Sequence, residues 1–295
     1  MRYAAIALAA VALAAGTSGA FASPARSDQV IHGSLASKGI ERTYRLFVPG
    51  SLGRRPALVL VLHGGFGTGD SAAIQSGFDD RARKAGFLVV YPDGIGRSWN
   101  ALTCCGLAQQ EHVDDVAFLS RLIQVLATRY DVDRHRVYAT GISNGGLMAY
   151  VLGCRDADAI AAIGPVSATM DFDSCSPSRP VSILHIHGTA DENIPFSGGV
   201  GTKGVTHRSW RSVPDTISRW RLLDHCSTPV EHRSRLVATS VSQCARGTAV
   251  QLDLVIGGGH SWPDGQRMSP LLDPPSNALD ATDTLWRFFA EHPQR

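Results

Sequence analysis

The chain has 295 residues, 44% apolar and 18% charged, and its 28 basic and 26 acidic groups leave a formal charge of +2. That balance excludes the basic stripe of a nucleic-acid binder and the acidic block of a solvated tail. The length suits one large α/β domain with a sizeable core.

Residues 1–22 carry the marks of an export leader. Arg2 precedes an almost wholly apolar run from Ala4 to Ala15, and Ala20-Phe21-Ala22 forms a small-x-small cleavage sequence before Ser23. The run is too short to span a bilayer, and no second long apolar stretch follows. The expected product is a secreted chain, extracellular or periplasmic, with one catalytic domain over residues 23–295 and no membrane attachment. Six cysteines in an exported chain are expected to pair, and six allow 15 connectivities. Local pairings Cys154–Cys175 and Cys226–Cys244 would leave the neighbours Cys104 and Cys105 to bridge each other or stay reduced. No HExxH or paired CxxC supports a metal site, and no cofactor is expected.

The elements then alternate. Arg42–Gly50 reads as a half-exposed early strand, and the continuously apolar Ala57–Gly65 and Gly86–Gly94 read as strands covered on both faces. Asp114–Tyr130 places Val116, Leu119, Ile123 and Leu126 at helical spacing, with Asp114 and Asp115 capping or bracing its start. A strand from Val137 runs into a helix after Ser143. Val181–Gly188 and Gln251–Gly259 are further strands, and Asn277–His292 closes as a helix with Leu285, Phe288 and Phe289 on one face. Alternation of this kind predicts an α/β fold with a mostly parallel central sheet and helices on both faces.

Gly141-Ile142-Ser143-Asn144-Gly145 breaks a buried strand abruptly. A turn this tight brings the residues flanking the serine together, so side chains there would clash and glycine is required. Serine needs a histidine base, and the base an orienting carboxylate, in the chain order serine, acid, histidine. His260 follows the strand ending in "VIGGGH", and Asp191 follows "LHIHG", with Glu192 its near neighbour. Ser143, Asp191 and His260 are the expected nucleophile, acid and base. His185 and His187 read as core or supporting groups. Backbone N–H donors for an oxyanion are expected from Asn144 and from the glycine-rich loop after the first buried strand, at Gly65 or Phe66. Trp99, Trp262 and Phe66 are candidate contacts for the acyl or alcohol part of a substrate. Phe196–Gly204 is either a flap or a surface loop.

The blocks "LHGGFGTGD", "SWNALTCCG", "VDDVAFL", "RVYATGISNGGLMAY", "LHIHGTADENIPF" and "GGGHSWPDG" resemble, in order, those of secreted polyhydroxybutyrate depolymerase and feruloyl esterase-like proteins. The resemblance spans about Arg42 to His292. It implies an α/β-hydrolase fold, supports Ser143, Asp191 and His260 as the triad, and favours the Cys154–Cys175 and Cys226–Cys244 pairings. The implied substrate is an ester, polymeric or small: feruloylated or acetylated polysaccharide, or a polyhydroxyalkanoate. The Thr-rich linker and polymer-binding domain of many extracellular depolymerases have no counterpart here. The alternatives are acyl transfer to a sugar as in mycolyltransferases, a lipase or peptidase using the same triad, and a binding protein without catalysis.

Overall fold

The computed structural model describes Met1 and residues 27–295. The leader expected over residues 1–22 lies, apart from Met1, outside the described residues. In chain order the strands are β1 (Gln29–Ser37), β2 (Ile40–Val48), β3 (Leu58–Leu62), β4 (Leu88–Pro92), β5 (Val137–Ile142), β6 (Ala162–Val166) and β7 (Ser182–Gly188). A two-residue pair, β8 (Gly199–Val200) and β9 (Ser209–Trp210), precedes β10 (Val230–Arg233), β11 (Val237–Gln243) and β12 (Ala249–Val255). The helices are α1 (Gly69–Ser76), α2 (Phe78–Ala85), α3 (Gly106–Gln110), α4 (Asp115–Tyr130), α5 (Asn144–Arg155), α6 (Val213–Leu223) and α7 (Ala281–Glu291).

Among the described residues one sheet runs β1-β2-β4-β3-β5-β6-β7-β12-β11-β10. Its centre, β4 through β12, is parallel, and antiparallel strands extend both edges. Two-residue periodicity divides each central strand between two cores. Leu58, Leu60 and Leu62 of β3 pack with α4, α5 and α6, whereas Val59 and Val61 pack with α1, α2 and α7. This is the α/β-hydrolase architecture, helices on both faces.

The helix starts are chemically specified. Asp114 Oδ1 accepts from Ala117 N at 2.9 Å, capping α4, and Leu119, Leu122, Ile123 and Leu126 are buried beneath it. Asp115 does different work: fully buried, it accepts from Arg42 Nη2 at 2.7 Å and from Asn100 N at 2.7 Å. Removing either member of such a buried pair leaves an uncompensated charge. On α7, Leu285, Phe288 and Phe289 are buried.

Sequence patterning missed β6, where Gly164 and Pro165 interrupt the strand signal although Gly141 and Pro165 are register partners. Between Cys226 and Cys244 lie β10 and β11, which pair antiparallel. Cys154 pairs with Cys175, Cys226 with Cys244, and Cys104 with its neighbour Cys105.

Asp224, at the end of α6, gives a testable pH effect. It is fully buried; Oδ2 accepts from Val181 N and Trp220 Nε1, each at 3.1 Å, and Oδ1 has no partner among the described residues. Burial, opposed by those two donors, pushes its carboxyl up to about 7 from the ordinary 3.8. A raised folded-state value means that the fold favours the protonated form. Its stabilising contribution is therefore full below about pH 4 and is lost as pH rises through about 7. Asp224→Asn, neutral throughout, is expected to flatten this dependence and raise the melting temperature at pH 8 by about 5 °C. Thermal melts of both proteins from pH 4 to 8 check it.

Candidate active site

Ser143 stands between β5 and α5 with φ 55° and ψ −122°, a conformation that L-residues avoid. Such strain, of order 1–3 kcal/mol, persists only where surrounding structure enforces it. Here Ser143 N donates to Val166 O at 3.0 Å. A Cβ on Gly141 would lie 2.5 Å from Leu62 O, and one on Gly145 would lie 2.2 Å from Leu62 O and 2.6 Å from His63 O. The two glycines thus let the elbow press against the end of β3. The first turn of α5 begins directly after the serine, and its N–H groups have no intrahelical partners.

His260 lies beyond β12 and Asp191 beyond β7; Asp191 Oδ2 accepts from His260 Nδ1 at 2.8 Å. That leaves Nε2 as the free basic nitrogen. Asp191 Oδ1 accepts from the N–H groups of Asn193 and Ile194, both at 2.9 Å, so both carboxylate oxygens are assigned. Burial pushes this carboxyl up. The charge and hydrogen bond of His260, with His187 and Ile194 N–H, outweigh that and hold it below the ordinary carboxylate value. Asp191 is therefore ionised at neutral pH, as an orienting acid requires.

His260 is also held through its backbone: its N–H donates to Asp273 Oδ2 at 2.8 Å, and its carbonyl accepts from Asp273 N at 3.0 Å. The sequence reading missed Asp273, 13 residues downstream in an irregular stretch. Glu192, the alternative acid, points elsewhere, pairing with Lys203 Nζ at 2.5 Å. Lys203 also reaches Asp273 at 3.3 Å. The Phe196–Gly204 segment is thereby tied to the loops carrying both Asp191 and His260, and its Lys203 and Gly204 wall the site.

Gly65 and Asn144 N–H groups donate to no group among the described residues, and both residues line the same cavity as Ser143 and His260. Phe66 differs: its N–H already donates to Arg97 O at 2.8 Å, which removes it as the second donor. Its ring remains exposed at the cavity mouth. His63 supports this loop. Its Nδ1 donates to Gly64 O at 2.7 Å and its Nε2 accepts from Gly94 N at 2.9 Å; burial keeps the ring below its ordinary value and neutral.

Two expected substrate contacts are corrected. Trp99 and Trp262 are buried, at 0% and 2% exposure, and line no part of the cavity. Trp99 Nε1 donates to His63 O at 3.0 Å, and its backbone pairs twice with the Asn144 side chain, at 2.7 and 3.0 Å. Trp262 Nε1 donates to Thr282 Oγ1 at 3.0 Å, beneath α7. Trp99 thus braces the elbow, and Trp262 belongs to the core. The tryptophan that does wall the site is Trp210 of β9, which sequence reading passed over because it lies in an irregular run.

The cavity measures about 610 Å³. Phe66, Leu107, Val205, Met268 and Leu271 are exposed around it, five large apolar side chains from four stretches of chain. Convergence of this kind marks a binding surface for apolar groups. Among the described residues no cluster could hold a metal ion, and no helix is long and apolar enough to cross a membrane.

Fold and geometry together define a protein of the α/β-hydrolase class with a serine at the strained turn between β5 and α5. Residues 42–217, more than half of the chain, match the family described as esterase PHB depolymerase, and the chain belongs to that family. It is 31% identical over 195 residues to feruloyl esterase B of Piromyces equi, covering 61% of this chain and 35% of that protein. The chain therefore spans about a third of that relative's length. To feruloyl esterase C of Emericella nidulans it is 28% identical over 221 residues, covering 75% of this chain and 70% of that one. Among solved structures, acetyl xylan esterase from Aspergillus awamori superposes with a TM-score of 0.63 at 16% identity, over 90% of this chain and 99% of that one, a likeness of fold.

Proposed function

We propose that this chain is a secreted serine carboxylic-ester hydrolase acting through an acyl-enzyme on feruloyl or other aryl esters of polysaccharide, or on poly(3-hydroxyalkanoate)-type esters. The observation that carries the reading is the joint opening of Ser143, His260 and two unengaged N–H groups onto one apolar-rimmed cavity, with His260 bonded at 2.8 Å to a buried carboxylate.

In this mechanism Ser143 Oγ attacks the ester carbonyl carbon while His260 Nε2 takes its proton. Negative charge moves to the carbonyl oxygen, where Gly65 and Asn144 N–H donate to it. The tetrahedral intermediate collapses as His260 returns the proton to the departing alkoxide. Water, deprotonated by the same nitrogen, then releases the acid and restores Ser143. Asp191 keeps its charge throughout and fixes the imidazole in the useful tautomer. Trp210 and the apolar rim suit a bulky, water-poor acyl group better than acetate.

The test is hydrolysis of methyl ferulate, p-nitrophenyl esters from acetate to octanoate, and a hydroxybutyrate oligomer by the mature chain. The expected result is a higher kcat/KM for ferulate or the oligomer than for acetate. Preference for acetate would contradict the bulky-acyl reading, and amide turnover at a comparable rate would contradict the ester reading.

A further inference from the structure

Behind Asp191 lies a fully buried line of polar side chains that the proposed reaction does not use. His187 Nε2 is 2.9 Å from Ile194 O, His185 Nε2 is 3.1 Å from His187 Nδ1, and Tyr150 Oη is 2.6 Å from His185 Nδ1. A carbonyl oxygen only accepts, so His187 Nε2 carries a proton. Burial, only partly opposed by Asp191 and Ile194 O, pushes His187 below its ordinary value, and burial pushes His185 well below. Both rings are neutral, and the rest follows by elimination. His187 Nδ1 accepts from His185 Nε2–H, and His185 Nδ1 accepts from the Tyr150 hydroxyl. The donors thus run one way, from Tyr150 through His185 and His187 to the carbonyl of Ile194.

His187 reaches the acid by two routes. Its Nε2 is 3.6 Å from Asp191 Oδ2, the oxygen that also holds His260. That is too long for a hydrogen bond, yet close enough for the N–H dipole to act on the carboxylate at low dielectric. It also grips the carbonyl of Ile194, whose own N–H donates to Asp191 Oδ1. Tyr150 sits on α5, the helix that starts at the elbow, so the line ties the nucleophile's helix to the acid's loop.

Resting on the esterase reading above, we infer that His187 is a positioning residue for Asp191, held in its Nε2–H tautomer by His185 and Tyr150. It fixes the carboxylate and draws charge away from Oδ2, so that Asp191 does not hold the protonated His260 too firmly. The groups facing His187 are His185 on its own strand, Asp191 and His260 on the two loops, and Phe196, whose ring is 6.4 Å away.

The experiment compares parent, Ser143→Ala, His187→Phe and His187→Gln in ester hydrolysis across pH, with melting curves for each. His187→Phe is expected to lower kcat/KM roughly ten-fold, the order of one lost hydrogen bond, here that of His187 to Ile194 O. The acid limb of its profile, which belongs to the Asp191–His260 pair, is expected to move to higher pH. His187→Gln places an amide N–H near the lost Nε2–H, and its limb is expected to stay with the parent's. A limb that stays in place in His187→Phe, or moves equally in His187→Gln, overturns the inference and leaves His187 a packing residue. Should His187→Phe not fold, nitrogen-15 NMR of the histidine-labelled parent decides: a neutral His187 protonated at Nε2 supports the inference, and a charged or Nδ1-protonated ring overturns it. Activity surviving in Ser143→Ala would instead remove the esterase reading, while the NMR result stood.

Discussion

Asp191→Asn is expected to lower kcat for ester hydrolysis by about ten-thousand-fold, with KM nearly unchanged. The size follows from how the carboxylate is held. Asn193 and Ile194 N–H groups both point at Oδ1, so an asparagine turns its own oxygen to that side. Its NH₂ then faces His260 Nδ1, where Oδ2 stood. A donor there makes Nδ1 accept, which puts the imidazole proton on Nε2 and removes the free basic nitrogen that the proposed mechanism needs. Loss of the buried charge also removes the partner of the imidazolium formed in each chemical step. Because the replacement is nearly isosteric, melting temperature should stay close to the parent's. Steady-state kinetics and a thermal melt check both halves. A loss of less than a hundred-fold would place the orienting acid elsewhere.

Gly145→Ala is expected to destabilise the fold by about 3 kcal/mol or more, lowering the melting temperature by about 10 °C. Leu62 O and His63 O, the atoms 2.2 and 2.6 Å from the new methyl, are backbone groups at the end of β3. They cannot swing aside like a side chain, so the strand and elbow must part. Activity falls too, because the His63–Gly65 loop carries one proposed oxyanion donor. Thermal melts with an ester assay below the transition measure both. A variant as stable and active as its parent would show that the elbow does not need this close approach.

The alternation of β-branched runs and amphipathic helices was enough to read the parallel centre of the sheet, because buried parallel strands carry unbroken apolar runs. β6 escaped because Gly164, where a Cβ would lie 2.2 Å from Leu285, and the neighbouring Pro165 both run against strand propensity. The placement of Ser143, Asp191 and His260 after β5, β7 and β12 was legible since each follows a recognisable strand, and a parallel sheet gathers such positions at one end. What lay beyond reach was side-chain direction. Trp99 and Trp262 sit near those motifs in sequence, yet their indole N–H groups turn inward to His63 O and Thr282 Oγ1. Phe66 N–H is consumed by Arg97 O, a partner no local pattern signals. Asp273 and Trp210 come from irregular stretches that only folding brings to the cavity.

The most direct test of the central claim is capture of the nucleophile. The mature chain is treated with an aryl fluorophosphonate ester, and the adduct is located by peptide mass spectrometry while esterase activity is followed. The account predicts one adduct per chain, on Ser143, formed in step with loss of activity and absent in Ser143→Ala. Full loss of activity with the label on another residue would contradict it, as would complete labelling of Ser143 with hydrolysis undiminished.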